Sequence, residues 1–254
     1  MPGLLPSLPE SLLIISIDIF SLKRFIERFT MKKQGIFFFL ILLAELVAVA
    51  IHNRIAEFVF KPLIVIWLLG WFVLQTAAIR SPLKKWIILA LLLSWAGDVL
   101  LMFQDDNSLF FLTGLSSFLL AHLFYILFFH FVRIKENVAG RWLLLMIVIA
   151  YCVGIIFILS PHLGDMAWPV RIYAAVISCM FMLAMHMLFI KNKRAGQDMM
   201  IGAMLFIISD SLLAINKFYY PFQLAGIFVM ATYGLAQFFI TYGAIRYLSS
   251  VRKE

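Results

Sequence analysis

Two aspartates lie inside apolar stretches of the sequence, where a charged side chain is unfavourable. Asp98 and Asp210 each follow a small residue and precede the same x-Leu-Leu pattern. A carboxylate near the middle of a membrane helix costs about 2.5–3.5 kcal/mol on insertion scales. Two buried carboxyl groups can serve as an acid and a base, since burial and a like neighbour make one of them keep its proton. We therefore predict one catalytic site that contains both, with the acid unassigned.

Other polar side chains in the apolar stretches are candidates for the same site. His122 and Tyr125 are three residues apart and share a helix face, although a buried neutral histidine is an ordinary core residue. Tyr233, Gln237 and Thr241 recur every fourth residue, so this stripe must face protein or water. The predicted catalytic residues are Asp98, Asp210, His122 and Tyr125; the predicted substrate-binding residues are Glu45, Lys61, Asn216, Lys217, Tyr233 and Gln237.

The composition indicates a protein that crosses a membrane several times. The 254 residues are 64% hydrophobic and 13% charged, with a mean hydropathy of +1.02, whereas soluble domains are about 25% charged. The net charge of +8 comes from short basic clusters between apolar runs, the pattern that sets membrane topology. We therefore expect membrane lipids around the chain and no nucleic-acid partner. Cys152 and Cys179 have no CxxC spacing and are expected to be small core residues.

The apolar runs are each close to the length of a membrane-spanning helix, about 20 residues. They cover residues 34–52, 60–79, 84–103, 109–132, 141–160, 169–190, 198–216 and 222–247. The sequence thus predicts an all-α protein with eight transmembrane helices. Alternate loops carry seventeen Lys and Arg residues on one side and four on the other, which places both termini in the cytoplasm. We expect an integral protein of a bacterial cytoplasmic membrane.

The short loops favour a single transmembrane catalytic domain over residues 34–248, followed by a cytoplasmic tail, 249–254. Residues 1–33 are predicted to be an N-terminal extension, either lying on the membrane surface or preceding a natural start at Met31. A signal peptide that begins at Met31 is an alternative.

An offset of 112 residues superimposes Asp98 on Asp210 and Gly114 on Gly226. This offset suggests two four-helix repeats.

Other catalytic signatures are absent from the sequence. It contains no G-x-S-x-G, H-E-x-x-H or Walker A motif. His52, His130, His162 and His186 are scattered along the chain, so a three-histidine metal site is not expected. We predict neither a metal ion nor another cofactor.

Several motifs, taken in this order, resemble those of the YhhN family of membrane proteins, which includes the lysoplasmalogenases. They extend over about residues 34–247. The motifs are Lys61-Pro62, Ser94-x-x-Gly97-Asp98-x-Leu100-Leu101-Met102, Gly114-x-x-x-Phe118-x-x-Ala121-His122-x-x-Tyr125, Ser209-Asp210 continuing through Asn216-Lys217-Phe218, and Thr232-Tyr233-x-x-Ala236-Gln237.

The resemblance implies an eight-span enzyme that hydrolyses the vinyl-ether bond of a lysophospholipid, lysoplasmalogen, to a fatty aldehyde and a glycerophospho-headgroup. Protonation of the vinyl β-carbon requires an acid, and the resulting oxocarbenium ion requires a nearby carboxylate, a division that glycosidases also use. Asp98 and Asp210 fit these roles, with His122 and Tyr125 orienting them or the water. Lys61 and Lys217 would hold the phosphate, and Tyr233 and Gln237 would line the cavity.

Other functions remain open at this point. Paired intramembrane carboxylates and a repeat also describe a proton- or ion-coupled transporter. A metal-dependent lipid hydrolase would use Asp98, His122 and Asp210 as ligands. The substrate could be another lysolipid, and a purely structural membrane protein is the simplest alternative.

The predicted topology places the polar residues in the outer half of the membrane and therefore predicts a cavity open to the non-cytoplasmic side. Single cysteines placed beside Asp98 and Asp210 are expected to react with a membrane-impermeant thiol reagent added from that side. Reaction only from the cytoplasmic side would show that the cavity opens the other way.

Overall fold

The computed structural model describes residues 33–104 and 107–251. The predicted N-terminal extension lies outside these ranges except for Lys33, as do Asp105, Asp106 and the last three residues of the predicted tail. Within the described residues the chain forms eight long helices and no strand. The all-α prediction is confirmed.

The helices are α1 (Lys33–Ala50), α2 (Arg54–Thr76), α3 (Lys84–Leu101), α4 (Ser108–Lys135), α5 (Trp142–Leu159), α6 (Ala167–His186), α7 (Lys193–Ala214) and α8 (Ala225–Val251). Short 3₁₀ turns at Ser160–His162, Gly164–Met166 and Met187–Phe189 flank α6, and a π-helical turn, Ile215–Tyr219, extends α7. Seven of these helices are long and apolar enough to cross a membrane. The eighth, α3, carries Lys84, Lys85 and Asp98 within its 18 residues. The chain is an integral membrane protein.

The chain divides into two compact units at Leu40. The described part of the first unit, residues 33–40, is the first part of α1. The second unit runs from Ile41 to the end of the chain. All ten predicted site residues belong to this second unit.

Asparagine caps set the start of three helices. The side-chain oxygen of Asn53 accepts from the Ala56 N–H, that of Asn107 from Leu109, and that of Asn192 from Ala195. Such caps satisfy N–H groups that the first turn leaves unpaired. They explain why α2 and α7 begin several residues before the apolar runs predicted at 60 and 198. Hydropathy detects the apolar part of a helix but not its capped polar end.

Small residues allow α7 and α8 to pack closely, and this pair forms the most extensive helix contact, followed by α3 with α4. A β-carbon built on Gly202 of α7 would lie 2.7 Å from the backbone nitrogen of Ile240 on α8. One built on Gly243 of α8 would lie 2.9 Å from the Ala195 carbonyl oxygen. Such close contact of helix backbones is typical of membrane bundles. The repeat prediction relates these same two helix pairs and stays a prediction.

The direction of the chain brings particular helix ends together. The sequence predicts which end of the bundle is non-cytoplasmic. At this end lie the first residues of α2, α4, α6 and α8 and the last residues of α3 and α7. At the other end, an ion pair between Arg246 of α8 and Asp198 of α7 has a donor–acceptor distance of 2.5 Å. The cytoplasmic position of the termini stays a prediction.

The close α7–α8 contact predicts a difference in stability between two Gly→Ala variants. Gly202→Ala is expected to lower the free energy of unfolding by about 1–3 kcal/mol, because the added methyl group meets backbone atoms. Gly70→Ala on α2 is the matched control, since a β-carbon added there would have no atom within 4 Å. Thermal unfolding of the two proteins in detergent measures the difference. Equal melting temperatures would contradict the close packing.

Candidate active site

One cavity lies among α2, α3, α4, α6, α7 and α8 at the predicted outer end of the bundle. Its volume is about 860 Å³, including the part open to the outside. Its charged and polar lining residues are Lys61, Asp98, Gln104, Tyr173, Ser209, Asp210, Lys217 and Tyr233. The rest of the wall is apolar, with Phe111, Phe118 and Phe218 as its largest side chains. The cavity is therefore amphipathic, as a lipid site must be.

Asp98 ends a chain of hydrogen bonds that joins three helices. It is 2% exposed, and its Oδ2 accepts from the Tyr233 hydroxyl of α8 at 2.6 Å. Gln237, one turn further along α8, donates from Nε2 to the Tyr233 oxygen at 3.4 Å. Tyr125 of α4 donates to the Gln237 Oε1 at 2.6 Å. These contacts fix the orientation of the Asp98 carboxyl group within an apolar bundle.

Asp210 belongs to a second group of polar side chains. Its Oδ2 accepts from the Tyr173 hydroxyl of α6 at 2.5 Å and lies 3.3 Å from Nε2 of His122 on α4. The same histidine nitrogen lies 2.9 Å from the Tyr173 oxygen. Tyr173 has one hydroxyl hydrogen and donates it to Asp210, so its oxygen can only accept from His122. The histidine can donate to this oxygen only if the ring hydrogen is on Nε2. Its Nδ1 has no hydrogen-bond partner among the described residues.

The ring of Phe206 on α7 packs between the two groups. It makes edge contacts with His122 at 4.7 Å between centroids, with Tyr233 at 5.5 Å and with Tyr125 at 6.3 Å. Tyr233 also contacts Phe118 at 5.7 Å. Aromatic edge-to-face contacts of this kind hold the polar side chains in fixed orientations.

Gly97, the residue before Asp98, is needed for close packing of the cavity wall. A β-carbon at this position would lie 2.6 Å from the Phe118 ring of α4. The ring therefore lies directly against the α3 backbone beside the carboxyl group. This contact explains the small residue that the sequence places before Asp98.

Lys217 marks the rim of the cavity. It lies in the π-helical turn that ends α7, and its Nζ lies 3.4 Å from the Gln104 Oε1 and 4.2 Å from the centroid of the Phe111 ring. The side chain is exposed. A positive charge is thus held about two helical turns from Asp210, roughly 10 Å along the axis.

Lys61 of α2 contributes the second positive charge to the lining. It interacts electrostatically with Asp98 and also with Glu45 of α1. Glu45 is fully buried, and its two carboxyl oxygens have no hydrogen-bond partner in the described part of the chain. The Lys61 ammonium group therefore acts electrostatically on two buried acids.

The structure separates the ten predicted site residues into three sets. Those that line the cavity are Lys61, Asp98, Asp210, Lys217 and Tyr233. Those behind its wall, bonded to a lining residue directly or through another side chain, are His122, Tyr125 and Gln237. Glu45 and Asn216 are not among the lining residues. The Asn216 side chain accepts from the Phe222 N–H at 3.1 Å, a contact that holds the α7–α8 loop.

Tyr173 is the functional candidate that sequence reasoning missed. It lines the cavity and makes the shorter of the two hydrogen bonds to Asp210. Its sequence signal is weak, because a tyrosine near Trp168 and Arg171 looks like part of an interfacial aromatic belt. The sequence also did not predict Gln104 and Phe111 as site residues. They line the rim of the cavity because the end of α3 and the start of α4 meet there.

The three ligands of the metal-dependent alternative do not converge. Across residues 33–104 and 107–251, no group of three or more His, Cys, Asp or Glu side chains is placed to hold a metal ion. His122 contacts Asp210, whereas Asp98 belongs to the separate hydrogen-bond chain described above.

Comparison with known proteins identifies the family. The YhhN family model matches residues 56–244. The chain belongs to the YhhN family. The match includes nine of the ten predicted site residues, all except Glu45.

Curated relatives carry a functional name. Lysoplasmalogenase TMEM86A of Homo sapiens is 30% identical over 199 residues, which cover 72% of this chain and 75% of the relative. Lysoplasmalogenase of Mycobacterium bovis is 31% identical over 179 residues, 67% of this chain and 65% of the relative. Lysoplasmalogenase TMEM86B of Homo sapiens is 31% identical over 157 residues, 62% of each chain. No solved structure matches the chain.

Proposed function

We propose that this YhhN-family protein is a lysoplasmalogenase-type ether hydrolase, which cleaves the vinyl-ether bond of lysoplasmalogen within the membrane. The products are a fatty aldehyde and glycerophosphoethanolamine or glycerophosphocholine. The observation that carries the proposal is that Asp98 and Asp210 line one amphipathic cavity with a positively charged rim. The relatives named lysoplasmalogenase support the same activity. A bacterial cytoplasmic membrane is the proposed location.

The distribution of charge in the cavity matches the parts of a lysophospholipid. Lys217 at the rim would bind the phosphate, and Lys61 would add positive charge inside the opening. The apolar wall, including Phe118 and Val170, would contact the hydrocarbon chain. The vinyl ether, which lies between phosphate and chain, would then reach the two carboxyl groups.

The two carboxyl groups suit vinyl-ether hydrolysis because this reaction needs a proton donor and a carboxylate in the same site. Protonation of the β-carbon produces an oxocarbenium ion, to which water adds, and the resulting hemiacetal separates into aldehyde and alcohol. A carboxylate close to the developing positive charge stabilises it most strongly where water is excluded. The hydrogen bonds from Tyr233 and Tyr173 hold the two groups ready for these roles.

The first prediction concerns the carboxyl groups. Asp98→Asn and Asp210→Asn are each expected to lower aldehyde release by about a hundredfold or more, the usual contribution of general acid–base catalysis. Purified protein in detergent is assayed with a lysoplasmenyl lipid beside the matching 1-acyl lysolipid. Asp198→Asn is the matched control, since this aspartate lies on the same helix as Asp210 but pairs with Arg246 at the other end of the bundle.

The same assay separates the alternatives. Near-full activity in either Asn variant would overturn the two-carboxyl proposal, and loss of activity with EDTA would favour a metal-dependent hydrolase. Turnover of the 1-acyl lipid alone would indicate another lysolipid as substrate. No turnover of either lipid by folded protein would overturn the hydrolase and favour transport.

The second prediction concerns the rim. Lys217→Met is expected to raise the KM for the lysophospholipid roughly tenfold, equivalent to about 1.4 kcal/mol, with little change in kcat, because a distant phosphate contact contributes equally before and during the reaction. A 1-alkenylglycerol without phosphate should show the same KM with both proteins. Lys135→Met is the control, because Lys135 is the last residue of α4 and the cavity lies near the first turns of that helix. A fall in kcat with unchanged KM would contradict phosphate binding at this lysine.

A further inference from the structure

The two carboxyl groups differ in the donors that reach them. Each accepts one short hydrogen bond from a phenol, Tyr233 for Asp98 and Tyr173 for Asp210. Among the described residues, Asp210 also has Nε2 of His122 at 3.3 Å from the same Oδ2, a second donor when the imidazole carries its hydrogen on Nε2. Hydrogen bonds to the charged form of a carboxyl group stabilise that form. The contacts on Oδ2 therefore fit Asp210 to the role of base.

The charges around Asp98 favour the opposite state. Asp98 and Glu45 are both almost completely buried, and Lys61, which lines the cavity with Asp98, interacts electrostatically with both. Ionisation of both would leave an uncompensated negative charge in an apolar bundle, which is strongly unfavourable. A proton held by one of the two acids removes this cost. Asp98 is the member that lines the cavity and can deliver the proton to a ligand.

We propose that Asp98 is the proton donor and Asp210 the base, and that Tyr173 is the residue that positions Asp210. This assignment rests on the proposed function. It adds a residue, Tyr173, that the sequence does not single out, and it gives the two aspartates fixed and different roles.

The assignment gives a balanced reaction sequence. Asp98 gives its proton to the β-carbon of the vinyl ether and becomes a carboxylate, leaving an oxocarbenium ion at the α-carbon. Water adds to the α-carbon and gives one proton to the free oxygen of Asp210, forming a hemiacetal. The hemiacetal hydroxyl then returns a proton to Asp98 while Asp210 gives its proton to the departing glycerol oxygen. One water is consumed and both carboxyl groups return to their starting states.

Tyr173 and His122 explain why Asp210 can act on water. Both donors are directed at Oδ2, so they leave Oδ1 as the oxygen available to take a proton. The Asp210 side chain is 16% exposed, so water can reach it. Tyr173 acts through Asp210 and is a positioning residue.

Azide rescue tests the assignment, because azide is a nucleophile that needs no base. Asp210→Ala should still form the oxocarbenium ion, and added azide should occupy the space of the lost carboxylate and attack the α-carbon. The expected product is an α-azido ether, with the proton for the β-carbon supplied by Asp98 and replaced from solvent. Asp98→Ala should give no such product. The readout is mass spectrometry of the lipid fraction, with 1-alkenyl glycerophosphoethanolamine as substrate and sodium chloride at equal ionic strength as control.

Phenylalanine variants provide a second test with intact carboxyl groups. Tyr173→Phe is expected to slow aldehyde release about tenfold, the effect of roughly one charge-assisted hydrogen bond, and azide should partly restore substrate consumption and yield the adduct. Tyr233→Phe, which weakens the hold on Asp98, should be slowed without azide rescue. Tyr151→Phe is the control, since its hydroxyl bonds Ser211 instead of either aspartate; its rate and azide response should match the wild type.

The outcomes separate this inference from the proposed function. If wild-type protein releases no aldehyde, the proposed function and this inference both fail. If wild-type protein does release aldehyde, the adduct must form in Asp210→Ala and must not form in Asp98→Ala. Any other result with folded variants overturns the assignment but leaves the proposed function standing. If an alanine variant does not fold, the Tyr173→Phe and Tyr233→Phe pair decides, and equal azide responses of these two proteins overturn the assignment.

Discussion

Burial of two carboxyl groups in an apolar helix bundle is the constraint on which the rest of the site depends. Each group needs hydrogen-bond donors that its own helix cannot supply, because helical N–H groups are already paired. Asp98 of α3 takes its donor from α8, and Asp210 of α7 takes its donors from α6 and α4. The carboxyl groups therefore tie together helices that are distant in sequence.

Close backbone packing and aromatic rings make this arrangement rigid. Glycines bring α7 against α8 and α3 against α4, while Phe206 fills the space between the two hydrogen-bonded groups. Interiors packed in this way allow little side-chain motion. A site built on helices with locked side chains can hold two carboxyl groups in different environments, which acid–base chemistry requires.

The cavity combines an apolar wall with charged groups, as the proposed lipid substrate would require. Its wall is largely apolar, its carboxyl groups lie inside, and the Lys217 ammonium group lies at the rim. A lysophospholipid has the same order of parts, from hydrocarbon chain through ether to phosphate. The family membership and the geometry of the cavity thus point to the same substrate class.

The sequence by itself determined the helical fold class, the membrane class and the family, and it singled out the two aspartates as candidates. These features have local signals, since a long apolar run or a carboxylate inside one is recognisable without its neighbours. Only the tertiary structure decided which donors reach which carboxyl group. Tyr173 carries no local signal that separates it from an interfacial tyrosine. Nor does the sequence show that the Asn216 side chain accepts a hydrogen bond from the loop after α7. Partner choice depends on contacts between helices far apart in the chain, and no periodicity within one helix encodes those contacts.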